Sequence, residues 1–221
     1  MQLLTERYST QSARWPKHGR GILAQFDADT IIVYQAYRPA IASYAVTNQR
    51  FGGGFGLSRM SWIKPSFLWM MYRSGWGTKE DQEVVLALHL RRAAFNAILS
   101  RAVHSTFQPD LYPSRKAWSM AVAESNVRLQ WDPDHEPNGA PVSRRALQLG
   151  LRGPILRAFA TEWLIMIQDI SVLVSEQRRV LANSPEELVT PSEHVFPLES
   201  LVAARIGADT HFEGHPYCGE Q

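Results

Sequence analysis

The chain has 221 residues, a formal net charge of +2, 45% hydrophobic and 20% charged residues, so it can bury one sizeable core and is not a disordered polyelectrolyte. No apolar run approaches the roughly 20 residues that cross a bilayer, the first residues form no secretory core, and Cys218 has no second cysteine to pair with. These features predict a soluble, cytoplasmic protein with no membrane partner. Of 23 basic residues, four are lysines (Lys17, Lys64, Lys79 and Lys116) and the rest are arginines. Arginine's planar fork grips phosphate or carboxylate through paired hydrogen bonds, although codon usage in a GC-rich genome biases composition the same way.

In chain order, residues 1–27 are polar and irregular and predict a lead-in. Thr30-Ile31-Ile32-Val33-Tyr34 predicts a first strand, and Pro39 opens a helix over 39–49 with Ile41, Ala42, Ala45 and Val46 at helical spacing. Phe51-Gly52-Gly53-Gly54-Phe55-Gly56 reads as a flexible loop. Residues 59–63 predict a strand, after which Pro65 opens a helix over 67–73 that stops at Gly75 and is apolar nearly all round, hence central. Residues 83–90 predict a third strand, 91–103 a helix, and 115–124 a helix capped by Ser114 with Trp118, Met120 and Ala121 facing inward. Residues 127–131 and 145–151 alternate with period two, as half-buried strands do, around a turn-rich loop over 132–139. Pro154 opens a long helix to about Asp169, with a further helical stretch to Leu181, and Pro185, Pro191 and Pro197 predict an irregular tail over 183–221. Intermixed elements of this kind predict one α+β domain over 28–182, with a mixed or split antiparallel sheet flanked by helices.

The phosphate-loop, zincin, Cys-x-x-Cys and nucleophile-elbow motifs are absent. Chemistry is instead suggested by two concentrations of unusual residues. In the run from Arg59 to Trp76, the cations Arg59, Lys64 and Arg73 punctuate an apolar stretch, and each must reach solvent, an acid or an anionic ligand. Ser66 at a helix start would place phosphate beside free backbone N–H groups; a capped core helix with snorkelling cations is the structural alternative. In Gln130-Trp131-Asp132-Pro133, an acid at a strand end beside a tryptophan can act on a proton or on positive charge. Asp134, His135 and Glu136 could ligate a metal or form a solvated Asp-Pro turn, and His211, His215 and Cys218 have a superficial ligand spacing; no metal is expected at either place.

Val33-Tyr34-Gln35-Ala36-Tyr37, the run from Arg59 to Trp76, Gln130-Trp131-Asp132-Pro133 and Gln148-Leu149-Gly150-Leu151 together resemble a family of domains of unknown function, number 4291, over about residues 28–182. The order of strands also resembles the ADP-ribosyltransferase superfamily, whose split sheets enclose an NAD cleft. Here Gln35 stands where that superfamily has His or Arg, Ser61 and Ser66 supply hydroxyls around the second strand, and Gln130-Trp131-Asp132 approximates a Gln-x-Glu. That resemblance implies a nucleotide-processing enzyme with NAD as cofactor. Arg59 and Lys64, with the helix start at Ser66, would hold pyrophosphate, joined by Gln35 and Arg73 in the cofactor site. Tyr37, Trp62 or Trp131 would stack a ring. Asp132, with Gln130 and Tyr37, would carry the catalysis. A non-catalytic RNA-binding module using arginines on phosphates and tryptophans on bases, or a partner-binding structural domain, are the competing readings.

Overall fold

The computed structural model describes residues 1–210 and 212. Its elements in chain order are β1 (Thr5–Arg7), α1 (Tyr8–Ser12), β2 (Leu23–Ala24), β3 (Thr30–Tyr37), α2 (Pro39–Asn48), β4 (Ser61–Ile63), α3 (Phe67–Ser74), β5 (Val84–Arg91) and α4 (Arg92–Leu99). They continue with β6 (Ala102–His104), α5 (Arg115–Glu124), β7 (Val127–His135), β8 (Pro141–Leu151), α6 (Gly153–Ala158), β9 (Leu164–Asp169), α7 (Ser171–Asn183), β10 (Val189–Pro191), β11 (His194–Val195) and α8 (Ser200–Ile206). The architecture is α+β, as the intermixed periodicities predict.

Two sheets organise these elements. A three-stranded antiparallel sheet has the order β3-β5-β9, and a four-stranded mixed sheet has the order β4-β8-β7-β6 with β6 parallel to β7. They are joined at one point: Tyr34 and Lys64 exchange backbone hydrogen bonds of 2.7 and 3.2 Å. Beyond this pair, β3 and β4 part. The chain therefore builds a nearly continuous seven-strand surface that splits at β3/β4, and the candidate site lies at that split.

The unbroken apolar run of β3 follows from burial on both faces. Ile31 and Val33 enter the larger core with Leu86, Leu88, Leu129, Leu147 and Leu149, which bridges the two sheets. Ile32 and Tyr34 face the other way, onto Phe67, Leu68, Met70 and Met71 of α3 and Val174 of α7. This second core is why α3 is apolar nearly all round.

Several local expectations give way to pairing. The helix expected over 154–169 ends as α6 with a π-helical turn at Phe159–Trp163, and the remainder is β9. Its Leu164-Ile165-Met166-Ile167 run pairs with the free edge of β5, and that ladder outweighs the helical spacing. The helix expected over 91–103 stops at Leu99 because Ala102–His104 pairs with β7. The loop expected from 132 is instead a continuation of β7 to His135. Helix α5 buries no residue, and Met120, expected inside, is 56% exposed. The glycine loop is held down by Phe51 and Phe55, which are buried, stacked at 4.5 Å and packed edge-on to Tyr37.

Residues assigned from sequence to the lead-in and tail pair with one another. β1 pairs with β10 and β2 with β11. Trp15 Nε1 donates to the Glu193 carbonyl at 2.9 Å, and Phe196 and Ile206 enter the larger core. Among the described residues, no helix is long and apolar enough to cross a membrane.

Candidate functional site

Where β3 and β4 part, a cavity of about 710 Å³ opens, walled by the end of β3, the 54–64 segment, α3 and the facing strands β7 and β8. Seven of the ten residues singled out from sequence line it: Gln35, Tyr37, Arg59, Trp62, Lys64, Arg73 and Gln130. Strand geometry explains the grouping. Gln35 and Tyr37 are two apart on β3 and share a face, as Gln130 and Asp132 do on β7. Asp132 does not itself line the cavity, but its carboxylate accepts from Gln148 Nε2 at 2.7 Å, and Gln148, opposite Gln130 in register, does line it.

The site is cationic. Arg38, Arg59, Lys64 and Arg73 line the cavity, and none makes an ion pair among the described residues. Asp81 is the acid among the lining residues. Lys64 is buried; desolvation, reinforced by Arg73 and partly offset by Asp132, pulls its ammonium down to about 8. Burial conversely pushes the Asp132 carboxyl above the usual carboxylate range, against the hydrogen bond from Gln148 and the positive charge of Lys64. A polyanion entering between these groups would replace lost hydration with charge-assisted hydrogen bonds.

Trp62 lies over Gly150 of β8, where an added Cβ would sit 2.5 Å from Met60 Sδ and 3.0 Å from the Trp62 ring. Glycine is required there for Met60 and Trp62 to cover the strand. Ser61 Oγ accepts from Gln35 Nε2 at 2.8 Å and lies 3.0 Å from the Tyr37 hydroxyl. Arg38, Gln82 and Gln148 also line the cavity but were not among the residues singled out from sequence. Arg38 directly follows the observed β3, which runs three residues beyond the strand predicted over 30–34.

Two sequence assignments need correction. Ser66 caps α3 and is buried away from the cavity; its Oγ accepts from Trp69 N–H at 3.5 Å. The adjacent Phe67 N–H donates to Glu193 Oε1 at 2.7 Å, so an acid from the far end of the chain takes the place expected for phosphate. Trp131 points to the opposite face of β7 from Gln130 and Asp132, packs on the larger core and donates from Nε1 to the Ile206 carbonyl at 2.8 Å. It therefore cannot stack a ligand in the cavity.

The neighbouring acids and His135 are engaged in the fold. Asp134 forms a buried ion pair with Arg144, Glu136 accepts from the Tyr8 hydroxyl, and His135 stacks on Tyr72 at 3.5 Å. Among the described residues no three metal-ligating side chains come together. His211, His215 and Cys218 lie outside the described residues.

Glu193 makes a testable contribution to stability. Its carboxyl is fully buried and burial pushes it up to about 8, so the fold favours the protonated form. A group held above its unfolded value stabilises at low pH, and that stability is lost as pH rises toward the folded value. Wild type should therefore lose melting temperature relative to Glu193→Gln as pH climbs from 5 to 8.5. Thermal melts followed by circular dichroism, in which the two proteins stay a constant interval apart, would refute this.

The chain belongs to the family described as Domain of unknown function (DUF4291), whose model matches residues 21–196. The match extends beyond the segment recognisable from sequence at both ends, taking in Glu193 and the β2–β11 pair. A search of curated proteins finds no match.

Proposed function

We propose that the cavity binds a nucleotide through its phosphates and that the chemistry performed there is ADP-ribosyl transfer from NAD. The observation that carries this reading is the convergence of Arg38, Arg59, Lys64 and Arg73 on one cavity, with no ion-pair partner among the described residues and with Asp132 on the adjoining strand. A pyrophosphate matches that surplus of donors in charge and number. The split between β3 and β4, with a late acid-bearing strand beside it, agrees with what the resemblance to ADP-ribosyltransferases implies.

NAD supplies the ribosyl C1–nicotinamide bond that breaks, with nicotinamide leaving with the bonding electrons. Arg59, Lys64 and Arg73 grip the diphosphate and hold the ribose in place. Asp132, held by Gln148 just behind the cavity wall, supplies negative charge that stabilises the positive charge developing at C1, and the proton of the attacking hydroxyl passes to water. Trp62 stands at the cavity wall as the stacking candidate, whereas the Tyr37 ring is buried against Phe51 and Phe55. Electrostatic placement of this kind supplies most of the rate in such reactions.

The tryptophans argue for a cavity over an open RNA-binding face. Trp15, Trp76, Trp118 and Trp131 each donate their indole N–H to a backbone carbonyl within the fold, and Trp69 is buried. They are held by the structure rather than presented to unstacked bases. A thermal-shift panel of NAD, ADP-ribose, ATP, AMP and short RNA tests the assignment, because ligand binding raises apparent stability by mass action. The diphosphate nucleotides should raise the melting temperature, and RNA should not. A shift with RNA alone, lost at high salt, would replace the enzyme reading by the RNA-binding one.

A further inference from the structure

The inner wall of the cavity has hydrogen-bonding capacity that the fold does not use. Gln35 is 3% exposed and lines the cavity. Its Nε2 donates both hydrogens, one to the Trp62 carbonyl at 3.0 Å and one to Ser61 Oγ at 2.8 Å. Because a carbonyl can only accept, the Trp62 contact fixes which end of the amide is nitrogen. Oε1 is thereby left buried with no partner. A buried acceptor without a donor is costly and uncommon in native proteins.

A spare donor stands beside it. Ser61 Oγ and the Tyr37 hydroxyl are 3.0 Å apart, and either can donate to the other. Two hydroxyl hydrogens serve that one contact, so whichever group donates, the other keeps an unused hydrogen. Ser61 and Tyr37 both line the cavity. One unused acceptor and one unused donor thus lie side by side, linked through the bond from Gln35 to Ser61.

We infer that Gln35, with the Ser61–Tyr37 hydroxyl pair, reads an amide-type edge of the ligand, taking its N–H on Gln35 Oε1 and giving a hydroxyl hydrogen to its acceptor. This rests on the nucleotide reading above and assigns one end of the cavity to a base or carboxamide rather than to phosphate. In NAD, two groups present such an edge: the nicotinamide carboxamide and the amino face of adenine. A site built to pair a buried polar group discriminates strongly against an analogue lacking the partner.

Calorimetric titration of the full chain with four ligands tests this. ADP-ribose reports the phosphate contacts. 3-Acetylpyridine adenine dinucleotide keeps the carbonyl of the carboxamide but lacks its N–H, and nicotinamide hypoxanthine dinucleotide lacks the adenine amino group. Relative to NAD, one of these two analogues should bind wild type about tenfold more weakly, and which one identifies the edge that is read. In Gln35→Met that analogue and NAD should bind within about twofold of each other, since the unpaired acceptor is gone. Equal binding of NAD and both analogues by wild type would overturn the inference while leaving the nucleotide reading intact. Failure of ADP-ribose and NAD alike to bind would overturn both. If Gln35→Met does not fold, the wild-type comparison decides alone.

Discussion

Asp132→Asn is expected to lower the rate of nicotinamide release from NAD by about 100-fold or more, with affinity changed far less. Asparagine preserves the size of the side chain and can still accept from Gln148 Nε2, which holds the carboxylate at 2.7 Å in the native protein. What is removed is the negative charge beside Lys64, whose ammonium Asp132 helps to keep protonated. Under the proposed mechanism that charge acts on the transition state, where positive charge grows at the ribose, and hardly on the bound dinucleotide. The prediction is checked by single-turnover release of labelled nicotinamide, with melting curves on the same preparations. A variant that turns over at the wild-type rate would remove Asp132 from the chemistry.

The largest effect on stability is expected at the ion pair behind the site. Asp134 and Arg144 are both buried, and Arg144 also lies over the Trp15 ring at 5.1 Å. Replacing Arg144 by Met leaves the Asp134 carboxylate unpaired beside the buried Glu193, whose own carboxyl Asp134 pushes further up. Breaking a buried pair from one side costs about 3–5 kcal/mol, whereas replacing both partners with apolar side chains of similar volume is often nearly neutral. Urea denaturation should therefore show Arg144→Met strongly destabilised and the double variant Asp134→Leu/Arg144→Met restored to near wild type. A single variant within 1 kcal/mol of wild type would show that the pair is better solvated than its burial indicates.

The parts of the fold legible from sequence were those in which one strand or helix declares its own face. The apolar run of β3, the proline-opened helices α2 and α3, and the alternation of β7 and β8 all belong to this class, and they bring Gln35, Tyr37, Lys64 and Gln130 to one cavity. Trp131 was misassigned although the signal was present, since a residue between Gln130 and Asp132 on a strand must face the other way. Ser66 does stand at a helix start, but that start is closed by Glu193, and no local pattern reveals a partner so distant along the chain. β9 was hidden for the same reason: its strand character comes from the β5 edge it completes. Gln148 entered the site only through its register with Gln130, which exists only once the strands are paired.

The central claim is that the cations at the parting of the two sheets hold the dinucleotide's phosphates, and calorimetric titration of NAD into wild type and Arg59→Ala/Lys64→Ala tests it most directly. Each lost charge-assisted contact should weaken binding by about 1–3 kcal/mol. Wild-type affinity should also fall between pH 7 and 9.5, because burial pulls the Lys64 ammonium down to about 8. The affinity of the double variant, which lacks that group, should change less over the same range. NAD bound as tightly by the double variant as by wild type, with the same pH dependence, would contradict the assignment of the cavity.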